Sequence, residues 1–123
     1  MVVDDNIDAA EALAALLTVD GATVRTETNA SNIVEAVREC DPWLVLLDLE
    51  MPGIDDFEAC RLIRVERPDD IYVAALTGWS RDEDLARCKA VGFDEHLVKP
   101  IAAERLVQVI YFAAALRNSA ADR

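Results

Sequence analysis

The sequence predicts an α/β fold: an open, doubly wound parallel sheet with helices on both faces. Strand-like and helix-like segments alternate strictly, five of each. Two strand segments, 43–47 and 71–76, are apolar without a break, as in strands covered on both faces. Five strands are too few to close an α/β barrel, and right-handed crossovers then leave the sheet open. The length of 123 residues fits one domain, taken as 1–123.

Each element has its own signal. Met1-Val2-Val3 is the stub of a first strand. Ile7, Ala10, Leu13, Ala14 and Leu17 recur at helical spacing and end at Gly21. Ala22 to Glu27 alternates apolar and polar residues, as a half-exposed edge strand does. Ile33, Ala36, Val37 and Cys40 mark a second helix that stops near Pro42. Trp43 to Leu47 form the third strand, followed by a Met51-Pro52-Gly53 turn. Phe57, Cys60 and Ile63 line a third helix, which ends before Pro68. The fourth strand is Ile71 to Leu76, and Ser80-Arg81-Asp82-Glu83 reads as a capping box for a fourth helix that Gly92 closes. His96-Leu97-Val98 is a short last strand, and Leu106, Val109, Ile110, Ala113 and Ala114 form one face of the final helix.

Composition narrows the function classes. Asp and Glu number 24 against 12 Lys and Arg, a net charge of −12. Such a surface disfavours direct contact with nucleic acid or an anionic membrane and favours cations or basic partners. No apolar run reaches the ~20 residues of a membrane span, and no signal peptide opens the chain. Cys40, Cys60 and Cys88 are too few and too scattered for a disulfide framework or a zinc site, so they are expected to be reduced core thiols of a cytoplasmic protein.

The chemistry should lie beyond the carboxyl ends of the strands. Asp4 and Asp5 follow the first strand, Asp48 the third, Thr77 the fourth and Lys99 the fifth. Three carboxylates at one sheet edge repel one another and call for a hard cation or raised pKa values. Oxygen ligands of this kind suit Mg²⁺ (or Mn²⁺). A lysine and a hydroxyl beside them would serve phosphoryl oxygens, and the available nucleophile is an Asp carboxylate able to form an aspartyl phosphate. Taken singly, Asp4 and Asp5 could merely cap a helix, Thr77 could be a turn hydroxyl, and Lys99 a solvated charge. Trp79 fits either an overhang on the site or a loop anchor. Gly78 either leaves room for a phosphodonor or permits a tight turn.

Four stretches in order, Val2-Val3-Asp4-Asp5-Asn6, Leu46-Leu47-Asp48-Leu49-Glu50-Met51-Pro52-Gly53, Ala75-Leu76-Thr77-Gly78, and Gly92-Phe93-Asp94 with Leu97-Val98-Lys99-Pro100, resemble the receiver domain of response regulators in two-component phosphorelays. The resemblance covers essentially the whole chain. It implies a flavodoxin-like strand order 2-1-3-4-5 and a signalling switch that catalyses only its own phosphorylation and dephosphorylation. Asp48 would be the phosphoacceptor. Asp5, Asp48 and the Glu50 carbonyl would ligate Mg²⁺, with Asp4 acting through water. Thr77 and Lys99 would hold phosphoryl oxygens, and the Lys99–Pro100 bond would be cis. The implied donor is a histidine kinase or a His-containing phosphotransfer domain, met through Asp8, Ala9, Glu11 and the loop after Lys99. Homodimers would use the fourth and fifth helices and the strand between them.

There are departures. His96 stands where the family usually carries a switch aromatic, as in receivers attached to hybrid sensor kinases. Asp56 replaces a common Gly, and Ala102 is a poor helix cap. The first strand is a residue or two shorter than usual, which should lower stability. With no effector segment after residue 117, output is expected through binding or through a longer parent chain. Two other classes combine similar groups. One is an aspartate-nucleophile phosphatase of the haloacid dehalogenase type, although the motif order differs and Glu50 stands where that class has Asp. The other is a phosphorylation-independent interaction module.

Overall fold

A computed structural model describes residues 1–19, 23–49, 56–67, 70–78 and 82–121. The expected features at Gly21, Glu50, the 51–53 turn, Pro68, Trp79 and Ser80 lie outside these residues. The elements run β1 (Val2–Val3), α1 (Ile7–Val19), β2 (Thr26–Glu27), α2 (Ile33–Cys40), β3 (Leu44–Asp48), α3 (Asp56–Glu66), β4 (Tyr72–Thr77), α4 (Asp82–Val91), β5 (Glu95–Val98) and α5 (Ala103–Ala121). A single 3₁₀ turn, Ala30–Asn32, leads into α2, with the Asn29 side chain accepting from the Ser31 N–H. All pairings are parallel and the sheet order is β2-β1-β3-β4-β5, as the resemblance implies.

Two apolar layers flank the sheet. Side chains alternate along β3, so Val45 and Leu47 join Ile33, Val37, Cys60, Ile63 and Phe93 on the α2–α3–α4 face. Leu44 and Leu46 join Ala10, Leu17, Leu106, Val109 and Ala113 on the α1–α5 face. Every residue of β3 and β4 is buried, which is why both segments are apolar throughout. Cys60 and Cys88 lie in the first layer, and burial pushes the Cys60 thiol up to about 11, so it stays protonated and inert.

Several boundaries differ from the sequence expectation. Ala22 lies outside the described residues; of residues 23–27 in the expected strand, only Thr26 and Glu27 pair with β1, opposite Val2 and Val3. β4 extends to Thr77 and β5 begins at Glu95. Ile7 is 59% exposed, since the first turn of α1 lies past the end of β1 and has no strand beneath it. Ile110 and Ala114 of α5 are only half-buried. Helix α2 ends at Cys40, two residues before Pro42: its cap, Asp41, takes a left-handed φ of 49° while its N–H still bonds Val37 O.

One arginine ties α3 to the far half of the sheet. Arg64 donates from Nε to Gly92 O at 2.8 Å and from Nη1 to Ile71 O at 2.7 Å. Its Nη2 pairs with Asp94, whose other bond receives the Val73 N–H. Gly92 has φ of 114°, a conformation open to glycine, and a Cβ there would sit 2.9 Å from Arg64 Cγ. The α4–β5 turn can therefore close on the guanidinium only because position 92 has no side chain.

Arg64→Ala should lower the unfolding free energy by about 1–3 kcal/mol in urea titrations, because it strips partners from two half-buried carbonyls. Arg64→Lys should recover little of this, since one ammonium cannot span three acceptors fixed in a fork.

Candidate functional site

The site is assembled by the stagger of the parallel register. Val3 pairs with Leu47, which sets Asp4 abreast of Asp48 across β1 and β3. Asp48 pairs with Leu76, so Thr77 projects one residue further. Thr77 in turn pairs with Val98, and the Lys99 N–H donates to Thr77 O at 2.7 Å. Asp4 and Asp48 are thus level, and from β3 to β4 and from β4 to β5 the functional residue advances by one position along the strand ends.

The acids converge as the sequence predicted. Asp4, Asp5 and Asp48 each present a carboxylate oxygen within 4.8 Å of the others. Asp4 and Asp48 are 1% and 2% exposed, whereas Asp5 is open to solvent. Lys99 Nζ lies 2.9 Å from Asp48 Oδ1. Burial, with the Asp48 carboxylate facing it, raises the Asp4 carboxyl above its usual range, against the lowering effect of the Asn6 N–H. Thr77 is fully buried beside this cluster. The Lys99–Pro100 bond is cis.

Asn6 has a structural role that its place after the Asp4-Asp5 pair does not by itself reveal. Its N–H bonds Asp4 Oδ1 at 3.0 Å, and its own Oδ1 accepts the Ala9 N–H at 3.0 Å. Asn6, not Asp4 or Asp5, therefore caps α1. The signal was present, as Asn just before an apolar helical period is a strong N-cap. This capping frees both acids to face Asp48.

His96 is half-buried on β5 and pairs with Ala75, two residues before Thr77 on β4. It stands two residues before Val98, the partner of Thr77. Gly78 is exposed at the rim. Glu50 lies outside the described residues, so its carbonyl is not placed.

The donor set is all hard oxygen and carries negative charge beyond what one lysine offsets. These carboxylates fit a divalent cation such as Mg²⁺. Burial raises the Asp4 carboxyl most, and the neighbouring Asp48 charge adds to it.

Known proteins share this frame. The transcriptional regulatory protein AfsQ1 of Streptomyces coelicolor is 34% identical over 101 residues, which is 82% of this chain and 44% of that protein. The DNA-binding response regulator MtrA of Mycobacterium tuberculosis is 32% identical over 107 residues, 87% of this chain and 46% of that protein. The chain thus spans about half the length of these relatives. The receiver domain of NtrX from Brucella abortus superposes with a TM-score of 0.82 at 28% identity, covering 91% of this chain and 94% of that one. Residues 1–111 match the response regulator receiver domain as a family. With five parallel strands in the order 2-1-3-4-5 and the acids gathered at their carboxyl ends, the chain belongs to the response regulator receiver domain family, a signalling domain rather than a metabolic enzyme.

Proposed function

We propose that this chain is a phosphorylation-controlled switch in which Asp48 accepts a phosphoryl group from phosphohistidine. The observation that carries the reading is the convergence of Asp4, Asp5 and Asp48 within 4.8 Å, with Lys99 2.9 Å from Asp48. Asp48 attacks phosphorus through a carboxylate oxygen as the phosphorus–nitrogen bond to the donor breaks. The imidazole leaves with the bonding electron pair and takes a proton from solvent. Asp5, Asp48 and the Glu50 carbonyl would hold Mg²⁺, with Asp4 acting through water. The ion would screen the charge between these carboxylates and the phosphoryl oxygens.

The protein's own groups divide the remaining work. Lys99 pairs with Asp48 before the reaction and transfers that pairing to a phosphoryl oxygen after it. Thr77 donates its hydroxyl to another phosphoryl oxygen, and its inward movement opens space that His96 fills. Water later attacks the aspartyl phosphate and resets the switch. The donor is a histidine kinase or a phosphotransfer domain, as for response regulators generally. The exposed Asp8 and Glu11 on α1, beside the site, suit its docking. The net charge of −12 supports output through protein contacts rather than through nucleic acid held by this domain itself. Among the described residues no helix is long and apolar enough to cross a membrane, in keeping with the cytoplasmic setting we assign.

Acetyl phosphate with Mg²⁺ should add one phosphoryl mass to the wild type and none to Asp48→Asn, read by intact-protein mass spectrometry. Loss of the difference would remove Asp48 as acceptor. Asp5→Asn should melt no lower than the wild type without metal, yet lose the rise in Tm that Mg²⁺ gives.

Asp4 predicts a pH dependence. Its folded pKa is raised above 3.8, so the folded state holds a proton that the unfolded chain has released. Asp4 therefore weakens the fold as pH rises through the folded value, and the penalty disappears below the unfolded value. Asp4→Asn should be more stable than the wild type at neutral pH without Mg²⁺, with an advantage that shrinks as pH falls toward 4. Urea titrations at several pH values, with and without Mg²⁺, check both signs.

Lys99→Ala should still bind Mg²⁺ and still accept phosphate, but its phosphorylation should no longer shift the amide signals of Thr77 and His96. Its metal-free stability should fall by less than the about 3–5 kcal/mol typical of breaking a fully buried ion pair. The reason is that the Lys99 side chain is 33% exposed.

A further inference from the structure

Charge is spread unevenly over the helices. α2, α3 and α4 each carry both acids and bases. By contrast, residues 12–18 of α1 and 106–116 of α5 contain no charged residue, in a chain whose net charge is −12. The two segments lie side by side: Leu17, Ile110 and Tyr111 wall one cavity, and Leu13 and Ile110 pack on the same apolar layer. Their outward surface is apolar as well. Tyr111 is 68% exposed, Leu16 is 48% exposed, and Val107, Ala12 and Ala15 are also open to solvent. A helix that faces water ordinarily carries polar residues on that side.

The relief of this surface is self-complementary. α5 contributes a projecting ring, Tyr111, and α1 a shallow strip of alanines, Ala12 and Ala15, edged by Leu16. α1 leaves the carboxyl end of β1 and α5 that of β5, so in a parallel sheet both helices run the same way. Tyr111 stands level with Leu17 in the cavity wall. Helical side chains lean toward the helix N-terminus, so the ring reaches back to the level of Ala15 and Ala12. A two-fold axis parallel to the helices lays α5 of one copy over α1 of another. Each Tyr111 ring then meets the other copy's alanine strip. The contact occurs twice, as an isologous interface requires.

We propose that α1 and α5 form a surface through which two copies of this chain pair, Tyr111 of each seated on Ala12 and Ala15 of the other. A second copy is the occupant the chemistry favours. A basic partner would be drawn to the acidic faces rather than to an uncharged one. Knob and hollow are both carried by one chain, so like surfaces fit each other. The face made by α4, β5 and α5 instead presents Lys89, Glu95 and Arg105, with Glu95 already bound to Arg105 and Tyr72 within the chain. Charged groups of this kind are depleted from the centres of interfaces. The α1–α5 surface offers on the order of 500 Å² per copy, at the small end for specific association. Both acid clusters stay open, at the same end of the pair. There Asp8 and Glu11 of one copy approach Glu104 of the other, so like charge opposes pairing at low salt.

Sedimentation velocity on the 123-residue chain tests this. The wild type should dimerise with a Kd on the order of 10–100 µM. Raising NaCl from about 50 to about 500 mM should tighten the pairing. Tyr111→Asp and Ala15→Arg should each raise Kd at least about tenfold. Both lie at exposed positions and should leave Tm within about 3 °C of the wild type. Mixed in equal amounts, the two variants should pair again. One contact of the mixed dimer keeps Tyr111 on Ala15, and the other joins the two introduced charges of opposite sign. Lys89→Glu and Ala90→Glu on α4 should leave Kd unchanged. Without any substitution, isotope-filtered NMR of mixed labelled and unlabelled wild type should show contacts from the Tyr111 ring to the Ala12 and Ala15 methyls. A chain that stays monomeric at about 500 µM in high salt, or pairing that weakens with salt, would overturn the proposal. So would loss of pairing in the α4 variants but not in Tyr111→Asp, no recovery on mixing two folded variants, or absence of those intermolecular contacts in the dimer.

Discussion

The ion pair between Lys99 Nζ and Asp48 Oδ1 spans 51 residues of sequence and bridges two strands that are not neighbours. β4 lies between β3 and β5, so the pair forms only if both registers on β4 are correct. Asp48 is nearly fully buried, and a buried carboxylate without a counter-charge is strongly destabilising. The pair therefore couples the stability of the sheet's far edge to the chemistry at its centre. A one-residue slip of β5 would turn its side chains to the opposite face and carry Lys99 away from the acid.

The remaining acids work against this stabilisation. Asp4 is buried beside Asp48, and desolvation and like charge both raise its carboxyl. The chain accepts the conflict because Asn6 takes over the capping of α1, leaving the acids free to face each other. Buried like charges at Asp4 and Asp48 make a site whose local structure would respond to the divalent cation we propose for it. Receiver domains as a family are signalling modules, and such responsiveness is what a switch requires.

The two apolar layers hold this edge at a distance. Arg64 spans α3, the start of β4 and the α4–β5 turn with one guanidinium, and Gly92 leaves room for it. Tyr72 donates to Glu95 at 2.9 Å, and Arg105 pairs with the same carboxylate, joining β4, β5 and α5. These polar ties lie toward the amino ends of β4 and β5, the end of the sheet away from the acids. They fix the strands that carry Thr77 and Lys99 without occupying the site itself.

By itself the sequence determined the fold class, through alternating periodicities and two unbroken apolar strands. It also indicated that the acids, Thr77 and Lys99 lie at one sheet edge, because residues directly after parallel strands gather there. Strand length was not legible. Ala22 to Glu27 has a strand pattern, yet among its described residues, 23–27, only Thr26 and Glu27 pair, because pairing depends on the neighbouring strand. Nor could periodicity show that Ile7 lies beyond the sheet, or that Asn6 rather than an Asp caps α1. The level pairing of Asp4 with Asp48 and the one-residue steps from there to Thr77 and Lys99 belong to the tertiary structure alone. Register is a relation between strands, set by side-chain packing on both faces, and no local stretch of sequence contains it.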